Sequence, residues 1–533
     1  MVVSLGAELV SEGRLSVGDL VTVYSGQSEL MSPDQGLDPM AADFRIQGYE
    51  RNDGCHGQFL AVQGPQLHPK LSSLTFEEAG SYGLTMGTIQ RALFTTLNIE
   101  TGKRLFVEGA STGTGYDCLR SATASGLSCL GMVSSDQRAT RVTAAGGSPI
   151  NRKDDRWKDI FTAVPDDPNE WQAWHEAGLP FVAAAEAAVG GNIDYAVSHA
   201  GENAFPRTFQ LLGDNGVLAF YGASSGYRFT FLGKPGASSP ATMFRRAGLR
   251  PGQTILIVYG PGAEDGIVDN VAIEAIEVAC QNGGQVAVLV DTIAQREFVS
   301  SLGFGPRVRG VVSIEEIAKR LGDDFMPPGP FPGMPDPFTE SLAFREAVRE
   351  FSDKTLKPIG SAIAPALRNT LDKRGLPDIV FERRGRDGLA LASALVKPNT
   401  GRVVYAEDLE GQCFSFYAPQ VWTRQRRVLM PTAEIRGTHL NTSREFAEMQ
   451  EQIASGLLAV LPPTPVTMEE LPEAHQAMWE NRHQGANYVA VHALPREGLK
   501  TKDELYRAWA LRDAAERGEQ ITQVETGSAG ALR

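Results

Sequence analysis

The chain has 533 residues, 42% of them hydrophobic, with 56 glycines and a formal net charge of −14. That length exceeds one ordinary core and predicts two or three domains, while the acidic balance argues against nucleic-acid binding, which uses a basic face. No apolar run approaches the roughly 20 residues of a membrane span, no secretory signal opens the chain, and five scattered cysteines form no CxxC pair, which points to a reducing, cytoplasmic address without a zinc site.

In chain order, residues 1–70 carry short β-rich runs (DLVTVYSG, FRIQGYE, GQFLAVQ) and read as an irregular β domain. A helix is predicted over 76–98. Strand–turn–helix alternation then begins at RLFVEGASTGTG (104–115). The stretch GDDFMPPGPFPGMPDPFTE near 322–340 is too rich in proline and glycine for regular structure and reads as a surface loop. After 497 the sequence is charged, helix-prone and poor in apolar residues.

An internal repeat organises the middle of the chain. RLFVEGASTGTG parallels TILIVYGPGAEDG (254–266), and LSCLGMVSS (127–135) parallels GQVAVLVDT (284–292). Further on, NIDYAVSHAGENAF (192–205) parallels LPDIVFERRGRDGL (376–389), GVLAFYGAS (216–224) parallels GRVVYAEDL (401–409), and YRFTF (227–231) parallels CFSFY (413–417). Matches in one order predict a duplicated α/β unit of the doubly wound, Rossmann type.

Both copies have a glycine turn between strand and helix, where free N–H groups and the helix dipole suit a pyrophosphate. The first, Gly109 to Gly115, adds hydroxyls at Ser111, Thr112 and Thr114 around the small Gly113. The second sets Glu264 and Asp265 against Gly113 and Thr114, a repulsion of several kcal/mol at an effective dielectric of ~20. Gly222, beside the expected cofactor path, has Glu407 as its counterpart. The second copy is therefore expected to serve as packing or a dimer surface; the rival is an NAD site in which Asp291 holds a ribose hydroxyl. In the first copy the second strand ends at Ser134–Ser135 with no acid, followed by Arg138 and Arg141, and Arg152 ends the third strand. That pattern favours the 2′-phosphate of NADPH.

RIQGYERNDG, LTFEEAGSYGLTMGTIQRAL, VEGASTGTG, INRKD, SHAGENAFP and LPEAHQAMWENRHQGANYVAVH together resemble the medium-chain dehydrogenase/reductase superfamily and, within it, the crotonyl-CoA carboxylase/reductase group. Within that group the likeness is strongest to the acrylyl-CoA-reducing part of propionyl-CoA synthases. The resemblance covers about 1–235 and 425–495. It implies a partial GroES-like β domain with a linking helix (1–98), an NADPH-binding Rossmann domain (99–245), an inserted and non-binding Rossmann-like copy (246–425), a return to the catalytic domain (426–496) and a charged tail (497–533). The chain enters the family pattern partway through its β domain and is expected to be a fragment of a longer polypeptide.

The resemblance further implies a zinc-independent enoyl-CoA reductase that delivers hydride from NADPH to the β-carbon of a short 2-enoyl-CoA, with CO2 capture as a side activity. Tyr49, Glu50 and His199 match the family's CO2-holding positions, and Thr88 matches a threonine facing the nicotinamide. A homodimer, or a place in a larger multidomain synthase, is implied likewise. Two other readings stay open: a quinone or enone reductase of the same superfamily, and a non-catalytic docking module. Cys55–His56 reads as structural, because neighbours in a strand face opposite ways.

Overall fold

A computed structural model describes residues 1–29, 43–51, 53–57, 59–261, 266–331, 341–368, 373–480, 482–483 and 487–491. Among these, no helix is long and apolar enough to cross a membrane. The chain divides into two compact units, one drawn from 1–84 and from 446 onward, the other holding Thr85–Glu445. The five sequence segments, with boundaries at 98, 245, 425 and 496, divide the chain more finely than these two units.

The larger unit is built on one twelve-stranded sheet. The first copy supplies β1 (Arg104–Val107), β2 (Ser128–Val133), β3 (Ser148–Asn151), β4 (Ile193–Ser198) and β5 (Leu212–Phe220), with β6 (Arg228–Leu232) lying off the sheet. The second supplies β7 (Thr254–Val258), β8 (Gln285–Val290), β9 (Val308–Ser313), β10 (Ile379–Glu382) and β11 (Arg402–Val404), with β12 (Cys413–Tyr417) off the sheet. β13 (Arg427–Leu429) and β14 (Ala433–Gly437) close the centre.

The strand order is β9-β8-β7-β10-β11-β13-β14-β5-β4-β1-β2-β3. Read from either edge it is the same sequence of roles, third, second, first, fourth, fifth and sixth strand. Neighbours run parallel except β13 and β14, which are antiparallel with Val428 opposite Ile435. The doubly wound class read from the sequence is thus present twice, in a single sheet. Burial explains the composition: TILIV in β7 is buried at every position, as expected of parallel strands covered on both faces. Equivalent carboxylates tie first to fourth strand in each copy. Asp194 accepts the backbone N–H of Arg104 at 2.9 Å, and Asp378 that of Thr254 at 2.8 Å.

The copies are not separate globules. One apolar core runs under both, joining Phe106, Leu130 and Phe220 of the first copy to Leu256, Leu289 and Tyr405 of the second. On the opposite face each copy keeps its own cluster. The predicted helix over 76–98 is α1 (Phe76–Gln90), continued by a wider turn, Arg91–Leu97, and stopped by Asn98 in the left-handed region.

Two sequence expectations need correction. In the smaller unit Val21–Val23 pairs with Leu67–Pro69 and Gly26–Gln27 with Arg45–Ile46, yet the described part of GQFLAVQ forms no strand. There the Ala61 carbonyl is satisfied by the Gln47 side chain at 2.9 Å. The described part of the proline-rich stretch is not simply surface loop either: Phe325 and Phe331 are buried, and Phe331 stacks on Tyr417 at 5.3 Å. Residues 332–340 and the tail from 492 lie outside the described residues.

Candidate active site at the first glycine turn

β1 ends at Val107, Glu108 is fully buried, and the chain turns at Gly109 with φ of 55° before α2 (Gly113–Ala124) begins. Gly115 packs so closely on this turn that a Cβ would collide with the Gly109 carbonyl. Ser111 is buried, and Ala110 N–H donates to Met132 at 3.0 Å, placing the turn beside the end of β2. Thr112 is the N-cap of α2 yet makes no side-chain bond to the helix; its hydroxyl donates back to the Gly109 carbonyl at 2.9 Å. The α2 start therefore receives no side-chain cap from Thr112.

His199 follows β4 directly. Its N–H and that of Ala200 donate to Glu108 Oε2 at 3.0 and 2.9 Å, and the Thr208 hydroxyl donates to Oε1. The imidazole lies parallel to Tyr221 at 5.5 Å, and a Cβ on Gly109 would stand 2.9 Å from its Nε2. Its Nδ1 is buried without a hydrogen-bond partner among the described residues. Burial holds the imidazole below its ordinary range, against the opposing pull of Glu108, which favours the neutral ring, with one donor and one acceptor nitrogen.

The loop after β5 lies alongside. Gly222 has φ of 64° and nothing within 4 Å of a notional Cβ, and Ser224 and Ser225 donate to the Ala200 carbonyl at 3.0 and 2.7 Å. At the end of β2, Ser135 caps α3 (Asp136–Ala144), and Arg138 Nη1 donates to Ser134 Oγ at 3.3 Å. The Arg141 guanidinium lies over the Tyr116 ring, 4.5 Å from its centroid. Arg152 is tied by its N–H to Val133 at 2.8 Å and leaves its side chain exposed.

The strand ends therefore bring together the Gly109–Gly115 turn, His199, Gly222, Ser134 and Arg138. Thr88 is buried within α1 of the same unit. Tyr49 and Glu50 belong to the smaller unit, where Tyr49 is 75% exposed and Glu50 accepts the Ile46 N–H at 2.9 Å, closing its own turn. Sequence reasoning passed over Glu108 and Tyr221. The available signal for Glu108 was a carboxylate closing an apolar strand just before the glycine turn.

At the second turn the arrangement is reversed. α4 (Asn270–Gln281) is capped by the buried Asp269, which accepts N–H groups of Ala272 at 3.1 Å and Gly260 at 3.0 Å. Arg383, in the place of His199, pairs with Asp269 at 3.1 Å and with Glu407 at 2.7 Å. Arg384 pairs with Asp291, and the Gln295 amide bridges the Gly260 and Gly266 carbonyls at 3.2 and 3.1 Å. Glu264 and Asp265 lie outside the described residues. The helix start that would receive an anion is filled by the protein's own carboxylate.

No family model matches the chain. It is 31% identical over 233 residues to the crotonyl-CoA carboxylase/reductase of Cereibacter sphaeroides, covering 41% of this chain and 52% of that protein. It is 30% identical over 217 residues to the crotonyl-CoA reductase of Streptomyces collinus, 39% of this chain and 46% of that one. Among solved structures, crotonyl-CoA carboxylase/reductase AntE in complex with NADP matches with a TM-score of 0.47 and 16% identity, over 90% of this chain and 72% of that chain. The chain spans about half the length of the curated relatives it matches. By sequence, then, the chain is similar to crotonyl-CoA carboxylases/reductases and crotonyl-CoA reductases over about two fifths of its own length.

Proposed function

We propose that the chain is an NADPH-dependent enoyl-CoA reductase acting on a short 2-enoyl-CoA, acrylyl-CoA giving propionyl-CoA, as part of a larger propionyl-CoA-forming enzyme. The observation that carries this reading is the contrast between two equivalent helix starts, one left open beside a neutral buried histidine, the other closed by Asp269 and Arg383. Bound NADPH would supply the hydride for the enoyl β-carbon. The Gly109–Gly115 turn and Ser111 would take the pyrophosphate, and Ser134 with Arg138 the 2′-phosphate, with Arg152 at the adjoining strand end. Gly222 leaves room along the cofactor's path.

His199 would act at the α-carbon side. A neutral imidazole fixed by Glu108 through its own backbone can orient a proton source or CO2 without placing a second charge beside the developing enolate. Thr88 is assigned to the nicotinamide side, and Tyr49 and Glu50 keep the roles that the family resemblance implies for them.

Calorimetric titration with NADPH and with NADH tests the reading. One site with clear NADPH preference, followed by turnover of acrylyl-CoA, supports it. Two sites would mean that the second turn was misread. Activity on free enones but not thioesters would give the quinone or enone reductase, and absence of binding would give the docking module.

A further inference from the structure

The duplication is more than repetition along the chain, because the copies face each other across an approximate two-fold axis. It passes through the β13–β14 hairpin, where Val428 meets Ile435, and again between β6 and β12. Those two strands pair antiparallel over five positions, from Arg228 opposite Tyr417 to Leu232 opposite Cys413, with Thr230 facing Ser415 at the centre. The central hydroxyls repeat one job: Thr230 Oγ1 accepts the Val164 N–H at 3.0 Å, and Ser415 Oγ the Phe331 N–H at 2.8 Å. Phe231 stacks on Phe414 at 5.1 Å across the axis. Symmetric pairing of this kind is what two identical chains build at an isologous contact.

Without the second copy, β14 would be an open sheet edge and the β6 ribbon would lose its mate, both templates for another chain. Instead the polypeptide leaves the first copy after β6, builds the second, and returns along β14, so the edge is covered before the first sheet is complete. The second copy also holds the loop beyond Gly222. Ala418 N–H donates to the Tyr227 carbonyl at 2.9 Å, and the Tyr227 ring lies 5.8 Å from Trp422.

We infer that the second copy is a tethered partner: a relative of the first that gave up its own nucleotide cleft and occupies, within one chain, the place of a second subunit. The chain is a single-chain pseudo-dimer with one open cleft, whose wall after Gly222 is set from the other copy. The pairing stands on the sheet alone, whereas the statement about the cleft rests on the proposed function.

Replacing Leu232 by cysteine sets a thiol opposite the native Cys413 at the spacing of an antiparallel pair. In the full chain, with the exposed Cys55 changed to serine, oxidation is expected to give a 232–413 disulfide at single-chain mass, located by peptide mapping, with the protein still binding one NADPH. The same disulfide between two chains would overturn the inference, as would failure of these thiols to join. An intrachain bond in a protein that binds no NADPH, oxidised or reduced, would remove the proposed function and leave the internal pairing standing.

Discussion

At the residue scale, two positions bear on the proposed site and a third on stability. Gly109 must be glycine, since its φ of 55° is uncommon for other residues and a side chain would meet the His199 ring. Gly109→Ala is expected to weaken NADPH binding by about tenfold or more, from roughly 1–2 kcal/mol of backbone strain plus the displaced imidazole; unchanged affinity in a calorimetric titration would remove the turn from the cofactor site. Arg138→Ala should cost NADPH about tenfold, the worth of one charge-assisted bond, and leave NADH nearly untouched; equal losses would count against a 2′-phosphate contact. Asp117, buried in α2, is pushed up to about 6 by desolvation, with Thr85, Arg120 and Arg141 opposing. Because its folded value lies above its unfolded one, the folded state binds the extra proton, and the resulting stability is lost as pH rises from about 4 through about 6. Asp117→Asn is therefore expected to gain stability on the wild type at pH 8, on the order of 2 kcal/mol, and little at pH 4. Thermal unfolding at the two pH values decides it.

At the element scale, the same strand–turn–helix unit has two fates, set by what caps the helix. Thr112 spends its hydroxyl on Gly109 and leaves α2 open, whereas Asp269 spends its carboxylate on α4. Gly113→Glu should impose the second fate on the first copy and abolish measurable NADPH binding while the fold persists by circular dichroism. Asp269→Ala should lower stability, by about 1–2 kcal/mol for the lost cap and further because Arg383 then keeps, among the described residues, Glu407 alone as an ion-pair partner. It should not create a second nucleotide site, since Arg384 still pairs with Asp291. A stoichiometry of two NADPH per chain would contradict this.

At the scale of the whole molecule, one apolar core beneath both copies means that neither can be expected to fold or melt alone. A single cooperative unfolding transition is expected for the larger unit, shifted upward by NADPH although the proposed cofactor site lies in the first copy alone. A separate transition for the second copy, unmoved by NADPH, would show that the shared core does not couple them.

The duplication, the doubly wound class and the contrast between the two glycine turns were legible in the sequence, because each rests on local periodicity and on residues close together in the chain. His199 and its counterpart Arg383 could be aligned from strand ends for the same reason. What the local pattern could not carry was the partner of each. The Arg383–Asp269–Glu407 cluster joins residues more than a hundred positions apart at its longest link, and Glu108 reaches His199 on the neighbouring strand, 91 positions along the chain. Tertiary structure alone decided that the second copy turns its sheet to meet the first, since a parallel strand carries no sequence mark of which neighbour will cover its edge. That choice is made by the shared core and the antiparallel hairpin at its centre.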